Sequence, residues 1–159
     1  MKLLQERTAR QKLGESLIIQ TAVRMMVPFI QLFGLYVIVH GHYSPGGGFQ
    51  GGVILGASFV VLALAFDQKF SMKYMSEKAN NILGNTGALI YTGTAVLCAL
   101  FGGLYLDYSA LDALIPLGPI EWRSFGIFIV EVGVGFAVMS IMAALFWVLG
   151  SNGEMEEGL

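Results

Sequence analysis

Four long apolar stretches restrict the fold of this chain more than any other feature. They run over residues 17–39, 45–66, 82–104 and 124–149, and a bilayer core about 30 Å thick needs roughly 20 apolar residues per helix. The stretches lack the alternation of barrel strands, and a helix satisfies its own backbone polar groups. With 55% hydrophobic and 13% charged residues among 159, the chain is predicted to be an all-α integral membrane protein, residues 1–159 forming one domain of four transmembrane helices.

The positions of lysine and arginine predict the orientation of these helices. Most of them lie in the N-terminal tail, residues 1–16, and between the second and third spans: Lys2, Arg7, Arg10, Lys12, Lys69, Lys73 and Lys78. Because cytoplasmic connections are enriched in basic residues, both tails (1–16 and 150–159) are predicted to face the cytoplasm, in a multi-pass protein of the inner cell membrane. The net charge of −2 argues against a nucleic-acid partner.

The connection between the third and fourth spans, residues 105–123, is predicted to lie outside together with the glycine-rich first connection. Its sequence YSALDALIPLGP could form one short helix along the membrane surface, ended by Pro116 and Pro119.

The glycine-rich first connection has the sequence GHYSPGGGFQGG, residues 41–52. Ser44 and Pro45 are typical of a helix start, which places five glycines in the first turns of the second helix: Gly46, Gly47, Gly48, Gly51 and Gly52. Each helical glycine costs about 1 kcal/mol relative to alanine, so side-chain bulk must be excluded here.

Two explanations of these glycines remain open at the sequence level. Gly48, Gly52 and Gly56 recur every four residues and form a stripe on which another helix can pack closely. Alternatively, exposed amides at this place line an ion or water path, as broken helices do in transporters. A phosphate-binding loop is excluded by the absence of the Gly-Lys-Ser/Thr ending that such loops need.

Glu131 is the most informative single residue. It lies about 10 Å into the fourth span at 1.5 Å per residue, and acidic residues at such depth are rare and face protein interior or water. It is predicted to be either a carboxylate that binds a proton or attracts sodium, or a hydrogen-bonded residue that fixes packing between subunits.

Four further residues are candidates for an ion path. Arg24 lies within the first span, where it either extends to the inner surface or pairs with a carboxylate of another subunit. His40 and His42 lie at the outer edge, where they either control proton access or are ordinary interfacial histidines. Asp67 ends the second helix and is better explained as a solvated terminus than as an ion exit.

No catalytic or cofactor motif is evident in the sequence. Two histidines at a spacing of two, without further ligands, make a weak metal site, and we predict neither a resident metal nor a cofactor. The sequence shows no nucleophile–base pair, so we do not expect an enzyme.

The motifs QTAVR, GHYSPGGGFQGG with Phe49 at its centre, AFD and EVGVGFAV resemble the B subunit of Mrp-type multisubunit Na+/H+ antiporters over residues 17–149. The same module occurs in related membrane-bound hydrogenases. The resemblance implies a non-catalytic subunit that helps to move Na+ and H+, with the other Mrp-type membrane subunits, large and small, as partners.

Two alternatives to an antiporter subunit stay open at this point. The first is the equivalent subunit of a hydrogenase-type respiratory complex, with hydrogenase or other redox subunits as partners. The second is a homo-oligomeric small channel, which the small number of polar residues within four helices disfavours.

Overall fold

Five α-helices and one 3₁₀ helix make up the described part of the computed structural model, which comprises residues 17–43, 46–101, 104–116 and 118–151. The α-helices are α1 (Leu17–Val39), α2 (Gly48–Phe66), α3 (Gln68–Tyr74), α4 (Glu77–Leu100) and α5 (Pro119–Gly150), and the 3₁₀ helix is Tyr108–Ala113. All α-helices except α3 are long and apolar enough to cross a membrane. The predicted all-α fold with four spanning helices is confirmed.

The side of the membrane on which each terminus lies stays a prediction. Residues 1–16 and 152–159, which are the N-terminal tail and nearly all of the C-terminal tail, lie outside the described residues.

The helix boundaries agree with the apolar stretches at α1 and differ elsewhere. The start of α2 differs because Gly46 has a φ of +139° and Gly47 has non-helical backbone angles before the first helical residue, Gly48. The prediction that Gly46 and Gly47 lie in the first helical turns is therefore wrong. Ser44 and Pro45, predicted to start the helix, lie outside the described residues.

The helices α4 and α5 both begin before their apolar stretches, because capping and turn residues set their first turns. The hydroxyl of Ser76 accepts a hydrogen bond from the amide of Ala79 at 3.2 Å, which caps α4. Gly118, with a φ of +111°, precedes Pro119 at the first position of α5, where proline is favoured.

A short helix forms between α4 and α5, as the sequence suggested, but it is a 3₁₀ helix that packs on the bundle through Leu111. Leu111 is buried with Cys98 of α4 and Trp122 of α5. The indole Nε1 of Trp122 donates a hydrogen bond of 2.7 Å to the carbonyl of Ile115, which ties the connection to the start of α5.

The four spanning helices stand in a row. α1 packs on α2, α2 packs on α5, and α5 packs on α4, whereas α1 touches α5 only slightly and makes no extensive contact with α4 among the described residues. Large apolar side chains of α1 and α4 are accordingly exposed on both outer flanks.

Glycines set the close spacing of α2 to both of its neighbours. A Cβ at Gly52 would lie 2.6 Å from the carbonyl oxygen of Gly135 on α5, and a Cβ at Gly56 would lie 2.7 Å from the Cβ of Met142. On the other side, a Cβ at Gly51 would lie 2.7 Å from the carbonyl oxygen of Gly34 on α1. The predicted packing stripe of Gly48, Gly52 and Gly56 therefore faces α5.

Candidate ion site at Glu131

Glu131 lies about 18 Å along α5 from its first residue, Pro119, and the glycine-rich connection packs directly against it. A Cβ at Gly41 would lie 2.5 Å from Oε2 and 2.6 Å from Oε1 of Glu131. A Cβ at Gly47 would overlap Oε1 and lie 2.9 Å from the carboxyl carbon. We call this enclosure by Gly41 and Gly47 the glycine niche.

The backbone of Glu131 is also in contact with α2. A Cβ at Gly48, the first residue of α2, would overlap the carbonyl oxygen of Glu131 and would lie 2.8 Å from its carbonyl carbon. Because the obstacle is backbone, no rotamer change could relieve it. Gly48 is therefore needed for close packing, while Gly41 and Gly47 make room for the carboxyl group itself.

One oxygen of the Glu131 carboxyl group has no partner. Oε2 is buried and makes no hydrogen bond to any described residue. An unpaired, ionised carboxylate removed from water is costly by several kcal/mol. The group therefore requires a proton, a cation, water or a donor from another subunit.

The two histidines of the first connection have different surroundings. His40 stacks on Tyr36 with ring centroids 4.1 Å apart, and its Nδ1 lies 3.2 Å from the carbonyl oxygen of the same residue. His42 instead lines a cavity near the start of α5, one residue after Gly41. Of the two histidines, His42 is thus the one beside the glycine niche.

Arg24 and Asp67 lie at the opposite end of the bundle from Glu131. The guanidinium carbon of Arg24 lies 5.3 Å from the centre of the Phe66 ring, and Arg24 is about 25 Å along α1 from Gly41. Arg24 forms no ion pair with another described residue. The structure does not bring these two candidates together with Glu131.

Asp67 has a local structural role. Its carboxylate accepts a hydrogen bond of 2.7 Å from the amide of Gln68 and caps α3, and its φ is +108°. This cap at an exposed turn agrees with the interpretation of Asp67 as a solvated terminus. Phe49, at the centre of the glycine motif, is exposed on the first turn of α2, and the described residues leave most of its side chain uncovered.

Two polar contacts between spanning helices, one buried and one partly buried, were not predicted from the sequence. Nδ2 of Asn80 donates to the carbonyl oxygen of Ser140 at 3.0 Å, and the Ser140 hydroxyl donates to the carbonyl oxygen of Asn80 at 2.7 Å. Nε2 of Gln31 donates to the hydroxyl of Ser58 at 3.2 Å. The first pair joins α4 to α5 and the second joins α1 to α2. Isolated polar residues in the apolar stretches were the available signal.

Two groups in the 105–123 connection have shifted pKa values. The hydroxyl of Ser109 donates to the carboxylate of Asp107 at 2.5 Å, and this hydrogen bond lowers the pKa of Asp107. Burial raises the pKa of the Tyr108 phenol, whose ring packs against Gly126 of α5. Asp107 therefore stays ionised and caps the 3₁₀ helix.

Comparison with known proteins agrees with this architecture. Residues 18–144 match the family described as "Domain related to MnhB subunit of Na+/H+ antiporter". The chain belongs to the MnhB family. Over 129 residues it is 30% identical to the proteins named "Putative antiporter subunit mnhB2" of Staphylococcus aureus strains Newman and COL, covering 80% of this chain and 89% of each relative. The resemblance inferred from the glycine motif is confirmed.

Proposed function

We propose that this MnhB-family chain is a small membrane subunit of a multisubunit Na+/H+ antiporter and that Glu131 is its exchangeable carboxyl group. The family description and the relatives named above are the basis for the first part. They name antiporter subunits, which favours the antiporter over a hydrogenase-type complex or a free-standing channel as the context of this chain. The chain is a multi-pass protein of the cell membrane.

The unpartnered, buried Oε2 of Glu131 is the observation that carries the second part. A carboxyl group held only for packing would be expected to satisfy both oxygens within the fold. Here Gly41 and Gly47 lie directly against the carboxyl group and leave it space, and Oε2 receives no hydrogen bond from the described residues. This arrangement suits a carboxyl group that reversibly binds and releases a transported proton or cation.

Partners of this chain are proposed to be the other Mrp-type membrane subunits. The exposed apolar flanks of α1 and α4 offer them broad contact surfaces in the bilayer. We assign the chain no catalytic step and no resident cofactor. Na+ and H+ are proposed as the ions that the whole assembly transports.

Substitution of Glu131 by glutamine in the assembled antiporter tests this function. Glutamine keeps the shape of the side chain but cannot exchange a proton. We expect Na+-dependent proton movement in everted vesicles to fall at least tenfold, while the amount of complex recovered through a tag on this chain stays normal. Full transport by a normally assembled Glu131→Gln complex would refute the role of this carboxyl group.

A matched control is available at the far end of the molecule. Asp67→Asn removes the charge of a carboxylate that caps α3. The side-chain oxygen of the asparagine can still accept the hydrogen bond from the backbone amide of Gln68. Transport by this variant is expected to remain close to that of the wild type. An equal loss in both variants would indicate a general effect of acidic residues rather than a site at Glu131.

A further inference from the structure

A cavity of about 410 Å³ lies between the end of α1 and the first turns of α5. Its walls are formed by seven side chains: Val39, His42, Tyr43, Glu121, Ser124, Phe125 and Phe128. It is an open depression with mostly apolar walls, large enough for several water molecules, and four of the lining side chains carry polar groups. The cavity lies at the end of the bundle that the distribution of lysine and arginine predicts to be external.

Two of the residues that line this cavity, His42 and Phe128, are close along the chain to the glycine niche and to Glu131. Phe128 precedes Glu131 by three residues, so the two lie on one face of α5 and are separated by about 4.5 Å along the axis. From the opposite wall, His42 follows Gly41, the residue that packs against both carboxyl oxygens of Glu131. Each wall of the cavity thus contributes one residue that is close along the chain to Glu131 or to the glycine niche.

We propose that this cavity is the external access route by which protons reach Glu131, with His42 as the relay at its inner end. The proposal rests on the proposed role of Glu131 as an exchangeable carboxyl group. An imidazole exchanges protons near neutral pH, and a relay needs its side chain to lie between water and the acceptor. His42 meets this requirement, because it lines the cavity next to the glycine niche.

The dimensions of the glycine niche favour a proton over a sodium ion. A single carbon added at Gly41 or Gly47 would collide with a carboxyl oxygen, so those sides leave no room for a coordinated cation. Hard cations bind several oxygen ligands, and the described residues contain no cluster of three or more acidic, histidine or cysteine side chains suited to hold a metal ion. A proton needs no such volume.

The titratable groups along the route are few. His42 and Tyr43 come from the segment after α1, and Glu121 comes from the first turn of α5. The first turn of α2, which closes the niche, contributes only glycine, Phe49 and Gln50. In this set, His42 is the imidazole, and it directly follows Gly41 in the chain.

Cysteine labelling of the assembled antiporter tests the access route. In a Cys98→Ala background, Ser124→Cys places a thiol in the cavity, and Val39→Cys places one on the opposite wall. Leu104→Cys, which is exposed on the connection outside the cavity, is the control. Intact cells are treated with a membrane-impermeant, positively charged methanethiosulfonate before everted vesicles are prepared and assayed for Na+/H+ antiport.

We expect labelling at both cavity positions from outside, with antiport reduced at least tenfold, and labelled Leu104→Cys to remain active. Complete labelling of either cavity thiol without loss of antiport would overturn the proposal. So would failure of both cavity thiols to react from the external side, since the route would then be closed to external water.

A histidine pair tests the relay independently. His42→Gln is expected to reduce antiport at least tenfold and to change its pH profile. His40→Gln, which alters a ring stacked on Tyr36, should keep the antiport activity and the pH profile of the wild type. Equal activity of the two variants would overturn the relay. If Glu131→Gln abolishes antiport but the labelled cavity variants transport normally, only the proposed access route is refuted. If Glu131→Gln itself transports normally, the proposed role of Glu131 is refuted.

Discussion

Replacement of Gly52 by alanine should weaken the contact between α2 and α5. The added Cβ would lie 2.6 Å from the carbonyl oxygen of Gly135, 3.1 Å from its Cα and 2.9 Å from the Cβ of Val138. Ordinary contacts of this kind begin at 3.4 Å, so the helices must separate by roughly 0.8 Å at this point. Two of the three obstacles are backbone atoms, which cannot move by changing a rotamer.

Gly93 on α4 provides a matched control, because a Cβ there would meet nothing within 4 Å in this chain. Both glycines lie within a helix, so each alanine substitution carries the same intrinsic gain of about 1 kcal/mol. The difference between the two variants therefore isolates the steric penalty. Overpacking of this kind costs about 1–3 kcal/mol, and we expect Gly52→Ala to be the less stable variant by that amount.

The assay measures the thermal stability of the purified complex. Its readout is the fraction of complex that remains monodisperse in size-exclusion chromatography after heating. The complex with Gly52→Ala should dissociate at a lower temperature than the wild type. The complex with Gly93→Ala should match or exceed the wild type. Equal stability of the two variants would show that Gly52 is not needed for the close packing of α2 against α5.

Two other predictions follow from polar contacts described above. Ser140→Ala should leave the carbonyl oxygen of Asn80 without its side-chain donor. It should destabilise the α4–α5 contact by about 0.6 kcal/mol, the average for such contacts in membranes. Thermal dissociation of the complex measures this change, and an unchanged dissociation temperature would contradict the prediction. The depressed pKa of Asp107 means that its stabilisation of the 3₁₀ helix is present above the ordinary aspartate pKa and is lost as the pH falls through the lower, folded-state value. Ser109→Ala removes the main cause of the lowered pKa and should therefore remove most of that stabilisation at neutral pH. We expect faster hydrogen exchange of this segment at neutral pH after correction for intrinsic rates, and a smaller difference from the wild type at acidic pH; equal exchange at neutral pH would contradict this.

The spanning helices could be predicted because hydropathy alone defines them, but their first residues depend on local geometry. The apolar stretch over residues 17–39 coincides with α1. The start of α2 was misplaced because Gly46 adopts a φ of +139°, which composition does not reveal. The short helix α3 was missed because it follows a turn at Asp67, a non-glycine residue with positive φ.

The site was predictable only in part. Glu131 stood out because a carboxyl group within an apolar stretch is rare, and the spacing of Gly48, Gly52 and Gly56 indicated a packing face. The enclosure of Glu131 by Gly41 could not be predicted, since it depends on how the first connection folds over α5. Sequence position likewise could not distinguish His42, at the cavity, from His40, two residues earlier.

The arrangement of the spanning helices as a row limits what this chain can do without its neighbours. In the described part of the chain, the spanning helices form a single layer with two faces and do not enclose a channel between them. Between α2 and α5, glycines bring the two backbones into contact, so these described helices leave no space for an ion between them there. If Glu131 exchanges an ion as proposed, that ion passes along one face of this layer, and a neighbouring subunit supplies the opposite wall.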